Sequence, residues 1–512
     1  LPAEQRKKVA AFTLGCKVNQ YDTQAMLELF RQRGYEVVDF APGADVYLIN
    51  TCTVTSRSEA KSRQVLRRAL RENPGAIVAV TGCYAQVAPA ELWQIPGVDV
   101  VIGTHGRRQI VDLVEAAAKR KGRQKELKES SRPQIAAPRR MKMVFSEEEA
   151  EKTDGAAGHE AAATATARGI FSLPAEAEVS VPAGKEDLWA ERDPRQLGAA
   201  WAEATAFEEL PIFRFTGRTR ATVKVQEGCN QFCSYCLVPF ARGRSRSRAP
   251  QAVLAEARRL VEGGFKEIVL TGIHLGAYGL DLDENVDLAG LVEKLLAVDG
   301  LERIRLSSIE PLEVSEKLLE LMGGGGKVCR HLHIPLQSGC DSVLARMNRR
   351  YSTRQYAEVL ARARAAVPGV AISTDVMVGF PGETEAEFQA SYQFVREMAF
   401  SKVHVFPYSR RPGTRAASFP GQLSRAEKEE RSRRMGELAD ELALAFHRQF
   451  IDRRVQVLVE AERDESGWLE GLTDNYLRVT FPGGDENVNQ IKEVLVLEAD
   501  REGARGQLVS VS

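Results

Sequence analysis

Three cysteines on one short loop, Cys229, Cys233 and Cys236 in EGCNQFCSYC, constrain this 512-residue chain more than any other feature. The spacing C-x3-C-x2-C lets three thiolates hold three irons of a [4Fe–4S] cluster and leaves the fourth iron to a ligand from outside the protein. A structural zinc site normally closes with four protein ligands. The loop offers no fourth Cys or His, and the next histidine downstream is His274. A zinc knob or a chance grouping is the bland alternative. Eight cysteines in a chain of this length do not make a disulfide scaffold. The polar, basic opening from Leu1 to Lys8 lacks the apolar stretch of a secretory signal. No apolar run approaches the roughly 20 residues of a membrane span, so the expected compartment is a reducing cytoplasm.

The loop follows the first of six strand-like runs, at 221–226, 267–270, 303–306, 331–336, 373–378 and 402–406, with helical stretches between them. Six strand–helix steps predict a partial (β/α)6 barrel with its site at the C-terminal strand ends. Ahead of it, runs at 9–14, 46–49 and 77–80 alternate with helical stretches, which predicts an open parallel α/β sheet. Cys16, Cys52 and Cys83 each lie just beyond one of these strands, in TLGC, INTC and TGC. Strand ends of an open α/β sheet share one ligand-binding edge, so three thiols can converge there; the alternative is three small buried hydrophobes. Periodicity dissolves over 125–206, which predicts a disordered low-complexity linker. A helix near 425–448 leads into four short strands that suit a small all-β barrel. The expected organisation is an α/β domain at 1–124, the linker at 125–206, the barrel at 207–449 and the β-barrel at 450–512.

Lys+Arg and Asp+Glu are 70 each, which excludes a chain-wide basic coat. The balance is an average: residues 1–126 carry a net +6, 127–205 a net −4 and 206–512 a net −2. Arg242, Arg244, Arg246 and Arg248 follow the cysteine loop and are candidates to grip RNA phosphates; a solvated loop is the plain alternative. Trp468 and Tyr476 in the tail are candidates to stack on unpaired bases, or else barrel core.

FTLGCKVNQYDTQAM, INTCTVT and TGCYAQ, followed by EGCNQFCSYCLVPFARGRSRSR, resemble the methylthiotransferases, which are two-cluster radical S-adenosylmethionine (SAM) enzymes. TGIHLGAYG, RLSSIEP, HIPLQSGCDSVLARMNRRY, TDVMVGFPGETE and VFPYSRRPGT read like that family's barrel strand ends. The tail, with LEGLTDNY, resembles the RNA-binding TRAM domain. The resemblance implies two [4Fe–4S] clusters, one on Cys16, Cys52 and Cys83 and a SAM-binding one on Cys229, Cys233 and Cys236. It implies SAM contacts from Tyr235, Gly272, His274, Ser308, Glu310, Gln337 and Asp375, with the chemistry carried by the clusters and SAM. Cys329 and Cys340 fall outside both triads and read as structural. GCKVNQYDT resembles the branch acting on N6-threonylcarbamoyladenosine in tRNA; the isopentenyladenosine branch reads closer to GCQMN, and the branch acting on a ribosomal-protein aspartate closer to GCPKN. The implied partners are tRNA, a sulfur donor and an electron donor, with no membrane, and a monomer is expected. A non-enzymatic iron–sulfur electron carrier is a third reading, but it needs no open iron, barrel or RNA-binding tail.

Overall fold

The computed structural model describes residues 6–130, 206–210, 212, 219–283 and 286–509. The chain forms two compact units, Leu1–Ala118 with Arg192–Ser512, and Lys119–Glu191. Of the second, only the end of the helix Ile110–Ser130 is described; that helix runs past the expected domain end at 124. The rest of the expected linker, 131–205, lies outside the described residues. Everything below concerns the first unit.

The N-terminal sheet is parallel throughout, in the order β2 (Glu36–Val38), β1 (Lys8–Thr13), β3 (Val46–Thr51), β4 (Ile77–Gly82), β5 (Val100–Val101). β3 and β4 are buried at every residue, which is why VYLINT and IVAVTG are nearly continuous apolar runs. Tyr47, Ile49, Leu66, Val78, Val80 and Tyr84 fill one side. The helix Ser56–Glu72 starts where Thr55 accepts the Ser58 N–H, satisfying one of its free donors. β2 and β5 were not expected; strands of three and two residues are too short to show an alternation.

The second region is the expected partial barrel. β6 (Arg220–Lys224) pairs with β9 (Glu267–Thr271) and β9 with β10 (Arg303–Leu306), all parallel. β11 (His331–His333), β12 (Ala371–Val378) and β13 (Lys402–Pro407) form a second parallel set. Single bridges, Ile304 to Val328 and Ser308 to His333, join the two sets. Among the described residues no pairing joins β6 to β13, so the barrel is open on that side. A short antiparallel ladder, β7 (Gln226–Glu227) against β8 (Arg246–Ser247), closes the base of the cysteine loop.

The helix Arg425–Arg448 begins in a capping box between Ser424 and Glu427. It leads to a closed barrel in the order β14 (Arg454–Arg463), β15 (Leu469–Thr473), β16 (Arg478–Phe481), β18 (Ala504–Leu508), β17 (Ile491–Ala499). Its core includes Val457, Val459, Leu469, Val479, Phe481 and Val494. The fifth strand, β18, was not expected, because ARGQL carries little apolar signal. Tyr476 does not begin a strand as expected: its φ is 70°, in the turn before β16. Arginines of β10 hold this domain against the partial barrel. Arg303 donates to the Leu472 and Gln456 carbonyls at 2.9 and 2.8 Å, and Arg305 to the Asp474 and Thr473 carbonyls, both at 2.9 Å.

Candidate active site

Parallel topology brings Cys16, Cys52 and Cys83 to one edge of the N-terminal sheet. Cys16 caps the helix Lys17–Gln32, Cys52 follows β3, and Cys83 opens the helix Cys83–Val87. Gly15, at φ 99°, lets the chain pass Cys52: a Cβ there would stand 3.0 Å from the Cys52 Sγ. Burial, reinforced by the neighbouring Cys83 and Cys16, pushes the Cys52 thiol up to about 11. Cys83 is raised by burial against the pull of Arg242.

The second group sits on the loop beyond β7. The Gln231 N–H donates to Cys229 Sγ at 3.4 Å and the Val238 N–H to Cys236 Sγ at 3.3 Å. Arg349 Nη1 donates to Cys233 Sγ at 3.3 Å and also pairs with Glu310. Burial, then the charges of Cys233 and Cys229, raise Cys236 far above the ordinary thiol range. All eight cysteines are free thiols.

The donor sets fit clusters better than single ions. Among the described residues, the one group of three His, Cys, Asp or Glu ligand atoms within 4.8 Å of one another is His333, Asp375 and His404. Neither thiol triad is that compact. Thiolates on separate irons of a cluster stand further apart than ligands of one ion, and a [4Fe–4S] cluster held by three thiolates would have one iron without a protein thiolate.

Between the two thiol groups lies a buried ionic knot. Asp22, on the first helix, is 2% exposed and pairs with Arg107, with Lys224 at 2.7 Å and with Arg242 at 2.8 Å. Glu227 takes the same three cations, at 3.1, 3.0 and 2.6 Å. Burial works against the charge of Asp22, but Arg107, Lys224 and Arg242 outweigh it and hold the carboxyl below its ordinary range. Arg242 also donates from Nε to Cys83 Sγ at 3.3 Å. It ends the helix Val238–Arg242, which starts beside Cys236, so one short helix spans the two thiol groups.

This corrects the expected RNA grip. Arg242, Arg246 and Arg248 are buried. Arg246 donates to the carbonyls of Arg242 and Arg244, and Arg248 pairs with Glu256 at 2.6 Å and Glu209 at 2.8 Å. The β7–β8 ladder turns the segment inward, where carboxylates meet it. Only Arg244 of the four is exposed.

Two family profiles match the chain: the uncharacterized protein family UPF0004 over residues 8–103, and the radical SAM superfamily over residues 223–395. The threonylcarbamoyladenosine tRNA methylthiotransferase MtaB of Bacillus subtilis (strain 168) is 39% identical over 98% of this chain and 96% of its own. The chain belongs to the radical SAM methylthiotransferase family. It is therefore an enzyme of a family that works with SAM and an iron–sulfur cluster. The MtaB protein of Aquifex aeolicus (strain VF5) is 34% identical over 96% of this chain and 100% of its own. A tRNA-2-methylthio-N(6)-dimethylallyladenosine synthase of Moorella thermoacetica is 32% identical over 98% and 99%. In fold, the chain resembles the radical SAM methyltransferase TsrM of Kitasatospora setae, with a TM-score of 0.52 at 15% identity over 81% of this chain and 77% of that one.

Of the residues that the family resemblance pointed to as SAM contacts, Tyr235, His274 and Glu310 adjoin the second thiol group, while Ser308 and Asp375 line a cavity of their own. Gly272 ends β9 tightly: a Cβ there would stand 2.8 Å from Gln226 Oε1, which accepts the His274 N–H at 2.7 Å. Burial opposes a charge on His274, but hydrogen bonds to Cys229 and Glu313 raise it to about 10. Tyr235 packs with Met377, Phe380 and Tyr408. Gln337, at φ 65°, is buried with Oε1 unpartnered. Ser308 is exposed at the end of β10, and Asp375 meets His333 Nε2 at 3.3 Å. The unpartnered amide oxygen of Gln337 suits a closely bound small molecule, while Gly272 makes room for the protein's own Gln226. Trp468 is half-buried ahead of β15, and Tyr476 stands against His331 with 4.5 Å between ring centroids. Cys329 is buried and Cys340 half-buried, and neither belongs to a triad. Sequence reading missed Asp22, Arg107, Lys224, Glu227 and Arg349. Asp22 and Arg349 lie inside the motifs NQYDT and NRRY, which was the available signal. No helix among the described residues is long and apolar enough to cross a membrane.

Proposed function

We propose that this protein methylthiolates C2 of N6-threonylcarbamoyladenosine next to the anticodon of tRNA, with one [4Fe–4S] cluster on Cys16, Cys52 and Cys83 and another, binding SAM, on Cys229, Cys233 and Cys236. The observation that carries this reading is the pair of thiol triads, one at the parallel strand ends of the N-terminal sheet and one on the loop beyond β7, tied together through Arg242. The threonylcarbamoyladenosine branch is supported by the two MtaB relatives. The dimethylallyladenosine reading is supported by relatives only slightly less similar.

An unactivated aromatic C–H offers no acidic proton, so acid–base catalysis does not suffice; the bound clusters and SAM supply the radical chemistry, the sulfur and the methyl group. The chain's own residues orient and enclose. Arg349, braced by Glu310, fixes Cys233. Gln337 Oε1 offers a buried acceptor. Arg244 and Trp468 remain candidates for RNA contact. A protein sulfur donor and an electron donor complete the reaction.

Nucleoside mass spectrometry of tRNA from cells with and without the gene tests the reading. Loss of 2-methylthio-N6-threonylcarbamoyladenosine in the deletion is expected. Loss of the 2-methylthio-dimethylallyl nucleoside instead would replace it with the second reading.

A further inference from the structure

A cavity of about 730 Å³ opens where the inner face of the partial barrel meets the helix Arg425–Arg448 and the small β-barrel. Its wall includes Lys17, Ser308, His333, Lys402, His404 and Tyr476. Lys17 directly follows Cys16. Ser308 stands two residues before Glu310, which braces Arg349 on Cys233. The cavity thus opens one residue from the first thiol group.

Both arginines of its wall already hold a carboxylate. Arg478 pairs with Glu470, Arg501 with Asp440 at 3.5 Å, and His333 with Asp375. Arg305, whose guanidinium lies 4.6 Å from the Tyr476 ring centroid, is taken by Glu267 at 2.6 Å. Lys17 is different. Neither its ammonium nor that of Lys402 makes a hydrogen bond or ion pair among the described residues, but Lys402 is exposed to water whereas Lys17 is half-buried. Withdrawing a charge from water without a partner is costly unless an anion completes the site.

We infer that Lys17 anchors the carboxylate of the threonylcarbamoyl side chain, and so separates this substrate from adenosines whose N6 group is neutral. The inference rests on the substrate class proposed above. A carboxylate on Lys17 would sit beside the first thiol group.

The test uses reconstituted holoenzyme and anticodon stem-loop RNAs that differ only at the target base: threonylcarbamoyladenosine, its neutral methyl ester, or plain adenosine. Dissociation constants are read by fluorescence anisotropy, with iron content measured for each variant because Lys17 abuts Cys16. The wild type should prefer the free acid over both neutral RNAs. Lys17→Gln should reduce that preference about tenfold to hundredfold, the worth of one charge-assisted hydrogen bond. Lys17→Arg and Lys402→Gln should largely keep it. A wild-type preference that survives Lys17→Gln, or that is lost equally in Lys17→Arg with iron intact, overturns the anchor and leaves the substrate reading standing. Loss in Lys402→Gln instead moves the anchor to that residue and refutes Lys17. Equal binding of acid and ester by the wild type refutes a charge-based anchor without any variant. Equal binding of acid and plain adenosine sinks the substrate reading together with it.

Discussion

Replacing Asp22 with Asn keeps the shape of the ionic knot and removes one of its two shared carboxylates. Arg107, Lys224 and Arg242, each at most 1% exposed, would then share Glu227, with Glu208 assisting Arg107 alone. Breaking a buried pair by removing one partner costs about 3–5 kcal/mol, because the remaining charge stays buried. For a domain of this size each kcal/mol moves the midpoint by about 2–4 °C, so anaerobic thermal melts should drop on the order of 10 °C. Asp22 joins the first helix to β6 and to the helix that follows the cysteine loop, so proteolysis between the N-terminal sheet and the barrel should also speed up. The sign with pH is fixed by the depressed carboxyl. Its contribution is complete above the unfolded value of 3.8 and is lost as pH falls through the lower folded value. In urea melts the gap between wild type and Asp22→Asn should therefore be constant near neutrality and close in strong acid. Adding Arg107→Met removes a stranded cation and should recover part of the loss, giving a double variant more stable than the two single effects predict. Equal melting of wild type and Asp22→Asn, or strict additivity in the cycle, would refute the reasoning.

Iron analysis should find about eight irons per chain, falling to about four when Cys16, Cys52 and Cys83 are all changed to Ala; an unchanged count would refute the first site. Arg349→Gln removes a charged donor from Cys233 and should lower the midpoint potential at the second site, followed by EPR-monitored titration. An unmoved potential would show that the contact does not tune the site. Phe481→Ala empties a fully buried position of the small barrel and should cost about 3–5 kcal/mol in urea unfolding. A loss below about 1 kcal/mol would mean that the barrel repacks around the gap.

Features written in short-range spacing were legible in the sequence. Cys229, Cys233 and Cys236 share one loop, and the strand–helix rhythm fixed the parallel edge that gathers Cys16, Cys52 and Cys83. Features that depend on distant partners were not. Arg242, Arg246 and Arg248 look like a solvent-facing basic run until Asp22, Glu209, Glu227 and Glu256 arrive from other elements. A charged residue announces its need for a counter-ion or water, but not which of them it finds. Tyr476 read as the first residue of a strand because its left-handed turn conformation leaves no apolar pattern. Lys17 was visible as a letter in a branch motif, while its place in a cavity needed the partial barrel and the small β-barrel to be docked.

That docking has a consequence for how such a chain can change. Arg303 and Arg305 grip the small β-barrel through the carbonyls of Gln456, Leu472, Thr473 and Asp474. A backbone carbonyl is present whatever side chain the residue bears. This part of the joint thus reads the path of a turn and not its spelling, so drift in the small barrel is constrained at the few side chains that also dock, Glu460 on Arg220, Asp474 on Arg330 and Tyr476 against His331, while two arginines on one strand hold the turn whatever else changes.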